Sequence, residues 1–139
     1  MEYLKNTFLY KLLQTKKKMV HAVRKDFQEV GITHENYITL HFIYENPGIT
    51  QSELADINDK DRNVIVKTID KLENMGLVKR IRSKDDRRAF TLQITDDGVY
   101  IIDEYWDRII LRQKEAIGNL TEDEQIILIE LLEKVNNGH

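Results

Sequence analysis

The stretch Thr50-Gln51-Ser52-Glu53-Leu54-Ala55-Asp56-Ile57-Asn58-Asp59-Lys60-Asp61-Arg62-Asn63-Val64-Ile65-Val66-Lys67-Thr68-Ile69-Asp70-Lys71-Leu72-Glu73-Asn74-Met75-Gly76 decides the fold. Thr50 and Glu53 have the spacing of a capping box ahead of the apolar Leu54, Ala55 and Ile57. That predicts a helix of roughly two turns. Asn58-Asp59-Lys60 reads as a tight turn, and Asp61 is placed to cap a second helix that ends at Gly76. Ile65, Ile69 and Leu72 form the inner stripe of that helix. A short helix, a tight turn and a second helix is helix-turn-helix spacing, in which the second helix enters the major groove of DNA.

The outward face of the second helix tests this reading. With its apolar stripe inside, about 100° per residue leaves Asn63, Lys67, Asp70, Lys71 and Asn74 outside. Asn63 and Lys67 stand one turn apart. Asparagine pairs bidentately with adenine, and lysine reaches the acceptors of guanine or a phosphate. Arg62 and Val64 flank this face near the helix start, where Val64 is suited to a thymine methyl. Lys71 is expected to anchor phosphate, and Thr50 and Gln51 at the start of the first helix join the expected DNA-contacting set. The plain alternative is an ordinary solvated helix face.

Beyond Gly76 the period changes. Leu77, Lys79 and Ile81 alternate with Val78, Arg80 and Arg82, and Phe90, Leu92 and Ile94 alternate with Thr91, Gln93 and Thr95, predicting a β-hairpin with a polar tip at Ser83–Arg88. Arg80 and Arg82 share one strand face, and Arg87 and Arg88 lie near the tip, as cations drawn to a narrow minor groove would. Asp86 is expected to orient Arg88 by a charge-assisted hydrogen bond rather than to touch DNA. Residues 60–88 carry ten basic and five acidic side chains, a surplus of five, so the rest of the chain stands at −8 against a total of −3. A polyanion responds to such a local field.

Outside this segment the chain reads as helices. Residues 3–30 form one long helix with Leu4, Phe8, Leu12, Met19, Val23 and Phe27 in its stripe, ended by Gly31. Residues 34–45 form a second helix, followed by a turn at Asn46-Pro47-Gly48. Thr95 is placed to cap a helix over about 96–117, and Thr121-Glu122-Asp123-Glu124 opens a last helix to about 136. The last helix crowds Ile126, Ile127, Leu128, Ile129, Leu131, Leu132 and Val135 into one short span, more than one buried face requires. A second copy of the chain is the expected partner for the surplus, since two-fold dimers are the commonest oligomers.

A chain of 139 residues with 41% hydrophobic and 32% charged side chains suits one domain of ordinary folded composition. It holds no run of membrane-spanning length, no secretory-type leader and no cysteine, so thiol chemistry is excluded and a cytoplasmic location is expected, with no membrane partner. No Gly-rich phosphate loop, zinc-ligand spacing or nucleophile elbow is present, and neither enzymatic activity nor a cofactor is expected. His34 and His41 lie seven residues apart, about 10 Å along a helix, too far to share a tetrahedral metal.

These residues together resemble the MarR (multiple antibiotic resistance regulator) family of winged helix-turn-helix regulators. The resemblance spans essentially the whole chain. It is carried by Thr50-Gln51-Ser52-Glu53-Leu54-Ala55, by Leu72-Glu73-Asn74-Met75-Gly76-Leu77-Val78-Lys79-Arg80, and by Asp85-Asp86-Arg87-Arg88-Ala89-Phe90-Thr91-Leu92-Gln93-Ile94-Thr95 followed by Gly98. It implies a mainly α fold with a β-hairpin wing: a winged-helix lobe at about 34–95, flanked by dimerisation helices at about 1–33 and 96–139. It also implies a homodimer on a pseudo-palindromic operator in double-stranded DNA, and repression relieved by a small ligand. The recognition helix would be Asp61 to Asn74 and the wing arginine Arg88, with Arg87 beside it. The chain departs from the family where small or hydroxyl residues are frequent early in that helix, carrying Asn63, Val64 and Val66 instead. Candidates to line an effector space are His21, Arg24, Tyr37, His41, Tyr44 and Trp106, each of which also reads as a packed aromatic or polar residue with a satisfied tip. A winged helix that binds proteins rather than DNA is the remaining alternative.

Overall fold

The computed structural model describes residues 3–85 and 89–138. In chain order they form a 3-10 turn Leu4–Asn6, helices α1 Phe8–Gln28, α2 His34–Glu45, α3 Gln51–Ile57 and α4 Arg62–Asn74, strands β1 Val78–Arg82 and β2 Phe90–Ile94, and helices α5 Asp96–Ala116 and α6 Glu122–Asn137. The mainly helical fold with a hairpin wing is therefore as expected. One expected helix starts late. Thr7 is extended (φ −76°, ψ 149°); its hydroxyl donates to the Leu4 carbonyl and accepts from the Tyr10 amide, so α1 begins at Phe8 rather than at residue 3.

The chain divides into two compact units, Arg24–Arg108 and Met1–Val23 with Ile109–His139. Both α1 and α5 run through the division, which does not follow the helix boundaries. The chemistry of the first unit explains why. Phe27 near the end of α1 stacks on Tyr105 of α5 at 5.6 Å and tilts against Tyr37 of α2 at 5.2 Å. Their neighbours Leu40, Ile43, Leu54, Ile65, Ile69, Leu72 and Leu92 are fully buried. The end of α1 and the start of α5 thus belong to the core of the helix-turn-helix. In the other unit, α6 contains no buried residue, and Ile126, Ile127, Ile129, Leu131 and Val135 face water, as do Phe8, Leu9 and Leu13 of α1.

Helices α1, α3 and α4 end in the same way. An amide beyond the last turn reaches five residues back to a carbonyl near the helix end: Ile32 to Phe27, Lys60 to Ala55 and Leu77 to Leu72. The closure needs a left-handed residue, supplied by Gly31, Asp59 and Gly76. Between α3 and α4 that residue is Asp59 (φ 51°), a type that tolerates the region better than most. Asn58, buried at the same turn, donates to the Thr39 hydroxyl at 2.7 Å and so fixes α3 on α2.

Strands β1 and β2 pair antiparallel, with Val78 opposite Ile94 and Arg82 opposite Phe90. The residue before α3 adds a third edge: Thr50 bridges Thr91, and the Leu92 amide donates to the Ile49 carbonyl at 2.8 Å. The wing is thereby sewn to the start of the helix-turn-helix. At its far end, Thr95 caps α5 by accepting from the Gly98 amide and donates to the Gly76 carbonyl at 2.6 Å. A Cβ on Gly98 would sit 2.4 Å from the Leu77 carbonyl oxygen, so only glycine lets α5 start against this turn.

Tyr37 gives the fold a pH limit. Its buried hydroxyl donates to the Ile102 carbonyl, and burial, with help from Asp103, pushes it from 10.0 up to about 12. Tyr105 is also raised, by burial and by Glu29. A folded-state value above the unfolded one means stability intact below pH 10 and lost as pH climbs toward 12. Urea midpoints measured across that range should fall. Tyr37→Phe should lower stability near neutrality by about 1 kcal/mol yet flatten the alkaline fall, and a wild type with no alkaline fall would contradict this account.

Candidate nucleic-acid interface

Helix α4 presents the face expected of it. Ile65, Ile69 and Leu72 are buried, whereas Arg62, Asn63, Val64, Lys67, Asp70 and Asn74 are exposed. Asp61 caps the helix by accepting from the Asn63 amide at 2.7 Å, which leaves the Asn63 side chain on the outward row with Lys67. Lys71 is half-buried and bound elsewhere: its Nζ donates to Asn36 Oδ1 at 2.8 Å. Asn36 is also the residue that completes the capping box of α2 with Thr33. Lys71 thus ties the recognition helix to α2.

Arg80 is where the structure departs most from the sequence reading. Expected on a DNA-facing strand surface beside Arg82, it points inward and only 16% of its side chain is exposed. Its Nε donates to Gln51 Oε1 at 2.6 Å, Nη1 to Glu73 Oε1 at 3.0 Å, and Nη2 to Asp70 Oδ1 at 2.7 Å and to the Val66 carbonyl at 3.3 Å. Its own amide donates to Glu73 Oε2 at 3.0 Å. One guanidinium therefore fastens β1, the start of α3 and the middle of α4 together. The reason is a match of shape and charge: a rigid fork of donors meets two carboxylates one turn apart on one side of α4. The sequence reading places Asp70 only among the outward residues and gives Glu73 no role. The available signal was their three-residue spacing on the flank of α4 that precedes the Gly76 turn, with an arginine shortly beyond it.

Arg82 does remain outside. Its guanidinium lies 5.5 Å from the centre of the Phe90 ring, its cross-strand partner. Thr50 caps α3 by accepting from the Glu53 amide. The expected reciprocal half of that capping box is replaced by a Thr50 hydroxyl bond to Glu53 Oε1 at 3.0 Å. Thr50, Gln51, Ser52, Arg62, Val66, Ala89 and Phe90 enclose a cleft of about 330 Å³ between α4 and the wing. Asp86, Arg87 and Arg88 lie outside the described residues.

The expected effector residues are partly gathered. Tyr37, His41, Tyr44 and Trp106 form one cluster, with His41 at 5.6 Å from Tyr37, 6.0 Å from Tyr44 and 4.9 Å from Trp106. Tyr37 is core, its hydroxyl spent on Ile102. His41 Nε2 meets Glu45 Oε1 at 3.0 Å, while Tyr44 and Trp106 are exposed at the edge. His21 and Arg24 are exposed on α1. Among the described residues, no group of three or more histidine, aspartate or glutamate side chains is placed to hold a metal.

The model of the MarR family matches residues 30–89. A regulatory protein of Thauera aromatica, named for the hcr operon, is 35% identical over 105 residues, which are 76% of this chain and 63% of that protein. The chain thus covers less than two thirds of this relative. The HTH-type transcriptional regulator PrsX of Escherichia coli is 32% identical over 130 residues, 89% of this chain and 74% of the relative. Among solved structures, a mutant MarR of Escherichia coli complexed with operator DNA superposes with a TM-score of 0.86 at 25% identity, covering 96% of this chain and 99% of that one.

Arg80 predicts a separable phenotype. Arg80→Lys keeps the charge and loses the fork, so the fold should weaken by about 1–2 kcal/mol, reduced from a buried-pair value because Asp70 and Glu73 are half in water. DNA affinity should fall while the dependence of log K on log salt keeps its slope. A direct phosphate contact would instead remove roughly 0.9 per contact, or about 2 per dimer. Fluorescence anisotropy over a salt series separates the two.

Proposed function

This chain belongs to the MarR family of transcriptional regulators, and we propose that it is a sequence-specific DNA-binding repressor, relieved by a small ligand, that grips a pseudo-palindromic operator as a homodimer in the cytoplasm. The observation that carries the reading is the outward row of Asn63 and Lys67 on a helix pinned from behind by Arg80 and from the side by Lys71. Asn63 reads adenine and Lys67 reads guanine or phosphate. Arg62 and Val64 flank them, and Thr50 and Gln51 approach the backbone from the start of α3. Arg82 reaches toward the minor groove, and the sequence adds Arg87 and Arg88 to this set, with Asp86 as the acid expected to orient Arg88. Arg80 is reassigned from contact to support. A helix that only docked proteins would have no use for this row beside a surplus of cations. The role is that of a binding protein rather than an enzyme. Tyr44, Trp106 and His41 are the residues we assign to effector contact, and a panel of aromatic acids is the first set to try.

A gel shift with the DNA upstream of the chain's own gene, followed by selection from random duplexes, tests the reading. Asn63→Ala should cost about 1–3 kcal/mol on the selected site and relax preference at one position in each half-site. Recovery of no preferred sequence would reject it.

Dimerisation is tested at α6. Ile129 is 62% exposed in the single chain, so Ile129→Glu disturbs little of the intrachain packing. It should shift the protein from dimer to monomer in sedimentation at micromolar concentration. A stable wild-type monomer would refute the assembly.

A further inference from the structure

Two valines on α4 lie outside its core stripe, and one of them, Val66, lines the cleft beside the wing. Val64 is 49% exposed and Val66 is 39% exposed, on a helix whose core stripe is already complete. Counted at about 100° per residue, they stand on opposite sides of the row formed by Asn63 and Lys67. Their backbones are held. The Val64 carbonyl accepts from the Thr68 hydroxyl at 3.0 Å, and the Val66 carbonyl accepts from Arg80 Nη2 at 3.3 Å. A valine in a helix has one strongly preferred rotamer, so both side chains are fixed before any ligand arrives.

We propose that Val64 and Val66 form a pair of thymine-methyl contacts, making the operator's half-site depend on the C5-methyl groups that line the major groove. This rests on the DNA-binding reading above and deepens it from which helix reads DNA to which chemical group it reads. The occupant follows from the surroundings. Arg62 and Lys67 bracket the valines with positive charge, which suits the phosphates on either side of a groove and not an apolar protein surface. Within the groove, thymine alone among the unmodified bases offers a methyl group, and a valine has nothing else there to gain. Because Asn63 between them is suited to adenine, the three residues together favour A·T pairs at the centre of each half-site.

The test uses the full-length dimer and a site selected from random DNA. Uracil is then substituted for thymine in both half-sites, which removes the methyl groups and leaves every hydrogen-bonding group in place. Each contacted methyl lost should weaken binding about fourfold, so two contacts in each of two half-sites give about 250-fold overall. The double variant Val64→Ala, Val66→Ala should bind the thymine and uracil operators equally. Alanine favours helix, and circular dichroism verifies that the fold survives. Val64→Thr with Val66→Thr keeps the side-chain shape and provides a second check, with a reduced thymine preference expected. Equal affinity of the wild type for the two operators, or selected half-sites without thymine at their centres, would overturn the proposal while leaving specific DNA binding intact. Failure to select any site would overturn the reading on which it rests.

Discussion

The mutual arrangement of α3, α4 and the wing depends on one guanidinium. Arg80 is covalently part of the wing, yet its donors end on α3 and on two turns of α4. Without it, Asp70 and Glu73 would set two uncompensated carboxylates beside the face proposed to meet a polyanion. With it, one of the two negative charges is offset from behind, and α4, α3 and the wing keep one mutual geometry. On the proposed reading the cation would aid DNA binding without touching DNA, by reducing local repulsion and by lowering the ordering cost of the groups that make contact.

The other fixings serve the same rigidity. The Thr50–Thr91 bridge holds the wing to the start of α3, Asn58 holds the turn to α2, and Thr95 with Gly98 clamps the start of α5 to the end of α4. These are short polar links across helix ends, where backbone groups would otherwise lack partners. Specificity in the groove needs side chains held to within a fraction of an ångström, and a seven-residue α3 could not provide that from its own packing.

The fold was legible because its signals are local. Capping residues, the Ile65-Ile69-Leu72 stripe and the alternation after Gly76 each act within a few residues, and they placed the recognition helix and both strands. What could not be read from the sequence needs distance information. Alternation placed Arg80 and Arg82 on one strand face correctly, but nothing in the local pattern says that α4 covers that face at Arg80 and leaves it open at Arg82. The same limit applies to Lys71, whose partner Asn36 lies 35 residues away. The break at Thr7 was hidden because a hydroxyl that caps a helix also fits inside one. The effector residues were the least legible, since an aromatic stripe on α2 serves packing and ligand contact by the same chemistry.

The bare aliphatic surface of α6 has a consequence for how much of this regulator a cell can hold. A newly made chain without a partner carries a broad oily stripe, the feature that chaperones and proteases recognise. In the proposed dimer, pairing would hide it, and pairing depends on the square of concentration. Below some rate of synthesis most chains would be lost before meeting another, and above it most would survive. The amount of functional regulator would then respond to its own synthesis as a threshold rather than in proportion, through protein turnover alone.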